Sequence, residues 1–481
     1  MRPRRAPLLA LGLSLITLLA LGGCASTGAM HAQESLPTEG DLAALLKTPA
    51  SASATAAALP AQDWWSAYHD ANLSHWIALG LASSPTVREA RARLEQAQAI
   101  FAITRAAELP SLGASADSTA QRVSGTGIYP PPLAGMVHTV NDVDLSATFE
   151  LDLFGRLAAR TEQARLDARA SAVNVESVRI GLAGAIGHAY FDLARAQQQL
   201  RIAQELEASR TKTLELVRDR VRAGLDTRVE RELAQVTVPE IRVDIERAQE
   251  QIALARHALA VLAGQEPHAA DTLVASLPDD KYLAQPTQMP LDWVARRADV
   301  TAARQRALAA ASGIRAARAD FYPNINLGAV VGLNSLTTQT LFEYNSRVWQ
   351  IGPAIHLPIF SGGSLRAQLG SANAASDAAI DAYEATVLKA AGEVADAVSS
   401  VTALDRQREQ QREATAHAQA AADLAQIRYQ AGLGNYLTVL TAQTSVLAQR
   451  RTQLELDARA AAMDVTLALA LGGGFRGEMV P

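Results

Sequence analysis

The sequence predicts a mainly α-helical chain that carries membrane β-strands, built as a duplicated unit of helix, strand, strand, long helix, turn and helix. Three observations predict it. Ala223, Gly224, Leu225 and Gln235 stand 208 positions before Ala431, Gly432, Leu433 and Gln443. Each of those turn-like segments follows a very long stretch rich in Ala, Leu, Val and Ile at spacings of three and four. Four short runs alternate apolar and polar residues at corresponding places in the two halves. A repeat this long is a duplicated half-structure, not a short solenoid unit.

The elements follow in order. Arg2, Arg4 and Arg5 precede an apolar run from Leu8 to Leu21, so residues 1–23 read as a signal peptide. Leu21-Gly22-Gly23-Cys24 resembles a bacterial lipobox, which makes Cys24 the expected lipidation site and a membrane anchor rather than a span. Ala25 follows it, the pattern that in bacterial lipoproteins resembles default sorting to the outer membrane. Cys24 is the single cysteine, so no disulfide is expected in the mature chain. No later stretch reaches the ~18 apolar residues of a transmembrane helix. Cleavage takes Lys+Arg from 44 to 41 against 49 Asp+Glu, a balance that argues against nucleic acid as a partner.

A helical stretch from about Pro85 to Ala107 ends at Glu108-Leu109-Pro110-Ser111, and its counterpart from about Val300 to Asp320 ends at Phe321-Tyr322-Pro323-Asn324. Strands follow each. The clearest is Val143 to Asp152, where Val143, Leu145, Ala147, Phe149 and Leu151 alternate with polar residues. Leu112, Ala114, Ala116 and Ala120 form a weaker face; Ile325, Leu327, Ala329, Val331 and Leu333 form the third, and Trp349, Ile351, Pro353, Ile355 and Leu357 the fourth. Each run is about as long as the ~9–11 residues a membrane β-strand needs. The two strand pairs read as hairpins with tips at Val123 to Met136 and near Leu336 to Ser346. Ser124-Gly125-Thr126-Gly127 lacks the strand–Gly–helix context of a phosphate loop. Four strands cannot close on themselves, and small barrels need eight or more, so the chain is expected to oligomerise.

The long helices are expected from about Arg156 to Arg222 and from about Leu365 to Gln430, each ~100 Å long at 1.5 Å per residue. Gly155 to Gly224 and Gly363 to Gly432 are both 69 positions apart. Gly224 and Gly432 sit where a helix end needs a left-handed residue; Asp226 or Thr227, and Asn435, are placed to cap the helices that follow. Pro239 should kink the first of those helices.

At this point the chain resembles the TolC-like outer-membrane efflux family, in its lipoprotein branch. Asp63-Trp64-Trp65, Tyr68 and Asp70 to Leu73 resemble the family's N-terminal segment, with Ala71 in place of Pro. Met289-Pro290-Leu291-Asp292-Trp293 and Arg296-Arg297-Ala298-Asp299-Val300 resemble the start of its second repeat. Ile359-Phe360-Ser361-Gly362-Gly363 matches the Gly-Gly after its last strand, and Arg428-Tyr429, Gly432, Tyr436 to Leu440 and Ala442-Gln443 form the most specific match. The resemblance implies a homotrimer with a 12-stranded β-barrel continued by a 12-helix α-barrel tunnel. It divides the chain into an N-terminal belt segment (24–84), a first repeat (85–263), a belt linker (264–299), a second repeat (300–471) and a tail (472–481). It implies passive conduction, with a periplasmic adaptor and an inner-membrane pump of RND type as partners, and contact with outer-membrane lipids.

The resemblance also places the turns Ala223-Gly224-Leu225 and Ala431-Gly432-Leu433 at the adaptor-facing end. It places Tyr429, Tyr436, Thr438, Leu440 and Thr441 at the periplasmic aperture. Thr438 and Thr441 stand where acidic residues are expected, and Gly434 where some members carry Arg, so acids of the first turn such as Glu230 or Glu232 are expected to contribute. No catalytic motif, cofactor motif or metal-ligand spacing is visible: the nine histidines are scattered along the sequence, and the carboxylates lie on helix faces near arginines. Two other readings compete: a lipid-anchored coiled-coil scaffold without a pore, which leaves the alternating strands unexplained, and the exit duct of a type I secretion system.

Overall fold

A computed structural model of the chain describes residues 31–46, 60–278 and 294–477. The signal peptide, Cys24 and the segment Met289 to Trp293 lie outside the described residues. The elements are α1 (Glu39–Leu46), α2 (Ala71–Ser83), α3 (Pro85–Ala106), β1 (Ser111–Arg122), β2 (Val137–Leu151), α4 (Arg156–Arg222), α5 (Arg228–Leu262), α6 (Ala298–Ala319), β3 (Asn324–Ser335), β4 (Arg347–His356), α7 (Ser364–Gln430) and α8 (Tyr436–Ala470). The two long helices have 67 residues each, and the two that follow them have 35 each. α5 continues through Pro239, the position expected to kink it.

The residues divide into two compact units, each assembled from three chain segments. The first takes in Leu94–Ala170 and Ala303–Tyr383 and holds the strands. They form one antiparallel sheet in the order β1-β2-β3-β4, so the two expected hairpins also pair with each other. Residues directly opposite in a sheet point to the same face. The register therefore aligns Leu112, Ala147, Ala329 and Ile351 in one row and Ala114, Leu145, Val331 and Trp349 in the next. Phe149, Leu327 and Pro353, then Leu151, Ile325 and Ile355, continue this apolar face. Many of its members are exposed, Trp349 to 76% and Ile351 to 73%. The opposite face carries Ser115, Asp144, Gly332 and Val348 in one row and Thr148, Gly328 and Gly352 in another.

β2 begins at Val137, six residues before the expected Val143. The alternation is broken there by Asn141, a polar residue in the apolar phase. Asn141 is buried, accepts a bond from Ser118 Oγ at 2.8 Å and donates to the Ser335 carbonyl at 3.2 Å, so its polar atoms are satisfied. Below the sheet, Arg156 grips both oxygens of Glu150 at 2.6 Å, and Phe154 stacks on Tyr322 at 4.9 Å.

The second unit takes in Pro37–Arg93, Ser171–Ala302 and Glu384–Pro481. Its main core gathers Trp64, Tyr68, Leu73, Trp76 and Ile77 from the N-terminal segment around Ile186, Tyr190, Phe191 and Val465. Asp70 caps α2 by accepting from Asn72 N at 2.8 Å and Leu73 N at 3.1 Å, and its other oxygen accepts the Tyr190 hydroxyl at 2.6 Å. Tyr68 donates to Asp464 at 2.8 Å. The Trp-Trp segment is thus a packing element, and both of its tyrosine-linked carboxylates are satisfied.

Candidate functional site

The candidate site is the pair of helical turns in the second unit, Ala223 to Thr227 between α4 and α5 and Ala431 to Asn435 between α7 and α8. Both are built alike. The Leu225 amide donates to the Arg220 carbonyl at 2.8 Å and the Gly224 amide to Val221 at 3.1 Å; Leu433 donates to Arg428 at 2.8 Å and Gly432 to Tyr429 at 3.1 Å. This double pattern satisfies the last carbonyls of each long helix and requires a left-handed residue, which Gly224 (φ +75) and Gly432 (φ +74) supply. A Cβ at either glycine would have nothing within 4 Å, so handedness and not space selects glycine.

Thr227, not Asp226, caps α5: its hydroxyl accepts from Val229 N at 3.2 Å, and Glu230 reaches back to Thr227 N at 2.8 Å. Asn435 caps α8 by accepting from Thr438 N at 3.0 Å. The six tip residues, Ala223, Gly224, Leu225, Ala431, Gly432 and Leu433, are all exposed, Leu225 to 65% and Leu433 to 70%.

Freed from capping, Asp226 does something else. It accepts from Arg220 Nε at 3.0 Å and Nη2 at 3.3 Å on its own hairpin, and from the Tyr429 hydroxyl on the other hairpin. Arg220 also donates to the Tyr429 carbonyl at 3.3 Å and lies 4.6 Å from the centre of its ring. Arg220, Asp226 and Tyr429 therefore form a clamp of charge-assisted bonds that ties the two hairpins of one chain together. Burial works against the Asp226 charge, but the bonds from Arg220 and Tyr429 and the Arg220 charge outweigh it and hold the carboxyl below its usual pKa. Burial and the bond to Asp226 push the Tyr429 phenol well above its usual value, so it stays a donor.

Tyr429 is fully buried, and its ring centre lies 6.1 Å from that of the buried Tyr436. Both pack with Leu214, Val217, Ala234, Val238, Ala425 and Val439, with Leu440 at the edge. Burial raises the Tyr436 pKa, opposed by Thr237 and Arg210. Thr438 and Thr441 stay exposed and apart from this cluster, the former donating to Asn435 at 2.8 Å. Of the acids expected to contribute, Glu230 is engaged in the cap and Glu232 pairs with Arg231 at 2.7 Å. The buried Arg210 donates to the Thr237 carbonyl at 2.9 Å, two residues before Pro239.

The acid–arginine pair was missed by sequence reasoning because it straddles a helix end, six residues apart, where no helical or strand period applies. Gly224 between them is the one signal, since its reversal is what folds Asp226 back onto Arg220.

A strand-built segment with an exposed apolar face, followed along the chain by long helices that end in exposed hairpin turns, is the architecture of a membrane channel class. The chain belongs to the outer membrane efflux protein family, whose model matches residues 76–265 and 292–473. It is 37% identical to the fusaric acid resistance protein FusA of Burkholderia cepacia over 76% of this chain and 69% of that protein. It is 32% identical to the toluene efflux pump outer membrane protein TtgF of Pseudomonas putida over 86% of this chain and 85% of that one. Among solved structures, the outer membrane protein VceC of Vibrio cholerae superposes with a TM-score of 0.81 at 34% identity, covering 87% of this chain and 100% of VceC.

Proposed function

We propose that three copies of this chain form the outer-membrane channel of a tripartite efflux pump. The observation that carries this reading is the sheet: four strands in register with one exposed apolar face and two open edges. Hydrocarbon tolerates neither an unpaired edge nor a barrel of four strands, so neighbouring copies must complete the sheet. Three chains would supply a barrel of twelve strands, and their four long helical elements apiece a tunnel of twelve helices. In this reading the strand and helix elements of the two halves descend from a duplication. Conduction is passive, and an inner-membrane pump of RND type supplies the energy through a periplasmic adaptor. Lipid on Cys24 anchors the N-terminus to the outer membrane. A pore-less scaffold offers no role for a sheet with one exposed apolar face.

The exposed tips Ala223 to Leu225 and Ala431 to Leu433 meet the adaptor. The Arg220–Asp226–Tyr429 clamp, backed by Tyr436 and Leu440, holds the hairpins at the periplasmic aperture, with Thr438 and Thr441 on its exposed side. FusA is named for fusaric acid and TtgF for toluene, so one architecture serves different cargoes and the cargo of this chain is set by its pump.

The test is expression in a strain lacking its own channel, with heat-modifiable trimers and stepwise bilayer conductance as readouts. Monomers without conductance would refute the channel. Gly432→Trp strains the left-handed turn (φ +74) but meets no other atom, so it should keep trimers and conductance while abolishing efflux; unchanged resistance would refute the adaptor contact.

A further inference from the structure

His257 and His268 are eleven positions apart in the sequence, the first near the end of α5 and the second beyond it. The fold brings them together with Asp271. One ligand atom from each of the three lies within 4.8 Å of the other two. The imidazole rings are 5.1 Å apart and nearly perpendicular, and His268 Nδ1 is 3.3 Å from an Asp271 oxygen. We infer that His257, His268 and Asp271 form a binding site for a divalent first-row transition-metal ion such as Zn2+, a site outside the hairpin turns and independent of them.

The donor set has the right chemistry. Two imidazoles and one carboxylate are borderline ligands that suit zinc, copper or nickel better than calcium or magnesium. Three protein ligands leave one position of a tetrahedral ion for water. Ligand atoms bound at ~2.0–2.1 Å to a tetrahedral ion lie ~3.3 Å apart, so the set needs only side-chain rotation to close. His268 and Asp271 are exposed and free to make that rotation.

The backbone beneath them is already held. α5 ends at Leu262, and Gly264 (φ +71) reverses the chain so close to Ser83 that an added Cβ would stand 2.8 Å from the Ser83 carbonyl oxygen and collide. Gln265 donates to Ser83 Oγ at 3.0 Å. A short 3-10 helix, Pro267–Ala270, then carries His268 back beside the last turns of α5. Ala270 and Leu273 are buried in the main core, and the Leu273 carbonyl accepts from Arg256 at 2.9 Å and Gln197 at 2.8 Å. The same bond occupies the Arg256 guanidinium, the cation next in sequence to His257. A site whose backbone is fixed before the ion arrives loses less entropy on binding than one that must fold around it.

The experiment uses the full-length chain, purified in detergent with a tag free of histidine. Zn2+ is titrated by calorimetry, and Co2+ is followed by its visible absorption. One Zn2+ per chain and the intense absorption of tetrahedral Co2+ are expected. His257→Ala and His268→Ala should each weaken Zn2+ binding at least ~10-fold and remove the Co2+ bands. His417→Ala, on α7 beside Glu413, should leave both unchanged. Both ligand variants alter solvent-accessible side chains, and unchanged trimer melting without metal would show that the fold is intact. No Zn2+ bound by the wild-type chain, or wild-type affinity in either ligand variant, overturns the site.

Discussion

Replacing Tyr429 by Phe deletes one hydroxyl and leaves the ring in place, so it isolates the bond between the hairpins. The ring is fully buried and lies 4.6 Å from the Arg220 guanidinium carbon, contacts that Phe keeps. What is lost is a hydrogen bond to a carboxylate, ~1.5–3 kcal/mol in general. Asp226 retains Arg220 at 3.0 and 3.3 Å, so no charge is orphaned and the loss falls in the lower part of that range, about 1.5–2 kcal/mol. At ~1.4 kcal/mol per tenfold, local opening of the tips becomes about 10- to 30-fold more frequent. Hydrogen exchange on the full-length trimer reads this directly at amides of residues 223–236 and 427–440. Faster exchange is expected in both segments, because the bond joins them. A change of less than ~2-fold, or one confined to the second hairpin, would refute the coupling.

Two further outcomes follow from the same geometry and from the sheet. A carboxyl whose native pKa is lowered adds stability above its unfolded value of about 4 and loses it as pH falls through the native value. The clamp should therefore be constant from pH 8 to 5 and loosen only below about pH 4, seen as rising conductance; Asp226→Asn should remove this acid step and raise conductance at neutral pH. Leu145→Arg, on the apolar face, should cost ~2–4 kcal/mol and deplete heat-modifiable trimers, whereas Ser146→Arg on the opposite face should be tolerated. Equal losses from both would refute the assignment of faces.

Much of this was legible in the sequence for definite reasons. Period-two alternation marked β2 from Val143 onward because every second residue there shares one apolar face. It failed over Val137 to Asp142 because Asn141 occupies an apolar-phase position and is stabilised by Ser118 and the Ser335 carbonyl, partners that only the folded sheet supplies. The turns were legible because Gly224 and Gly432 answer a backbone requirement, which a single residue type can satisfy. The clamp was not, because Tyr429 and Asp226 are 203 positions apart and belong to different hairpins. Tyr429, which the resemblance places at the periplasmic aperture, is buried, and its hydroxyl bonds Asp226. The pairing of His257 with His268 was hidden in the same way, by a chain reversal that has no periodic signature.

The open edges of the sheet also bear on biogenesis. β1 has 12 residues and β4 has 10, and in an antiparallel edge about half of the backbone groups face outward without a partner. Left bare in hydrocarbon, some ten such groups on each edge, at several kcal/mol apiece, would cost tens of kcal/mol. A solitary chain is therefore barred from lipid by its own backbone, however apolar its side chains. In the proposed trimer, recognition between copies would have to precede or accompany insertion, and the unpaired edges would act as a checkpoint that admits only the complete assembly to the membrane.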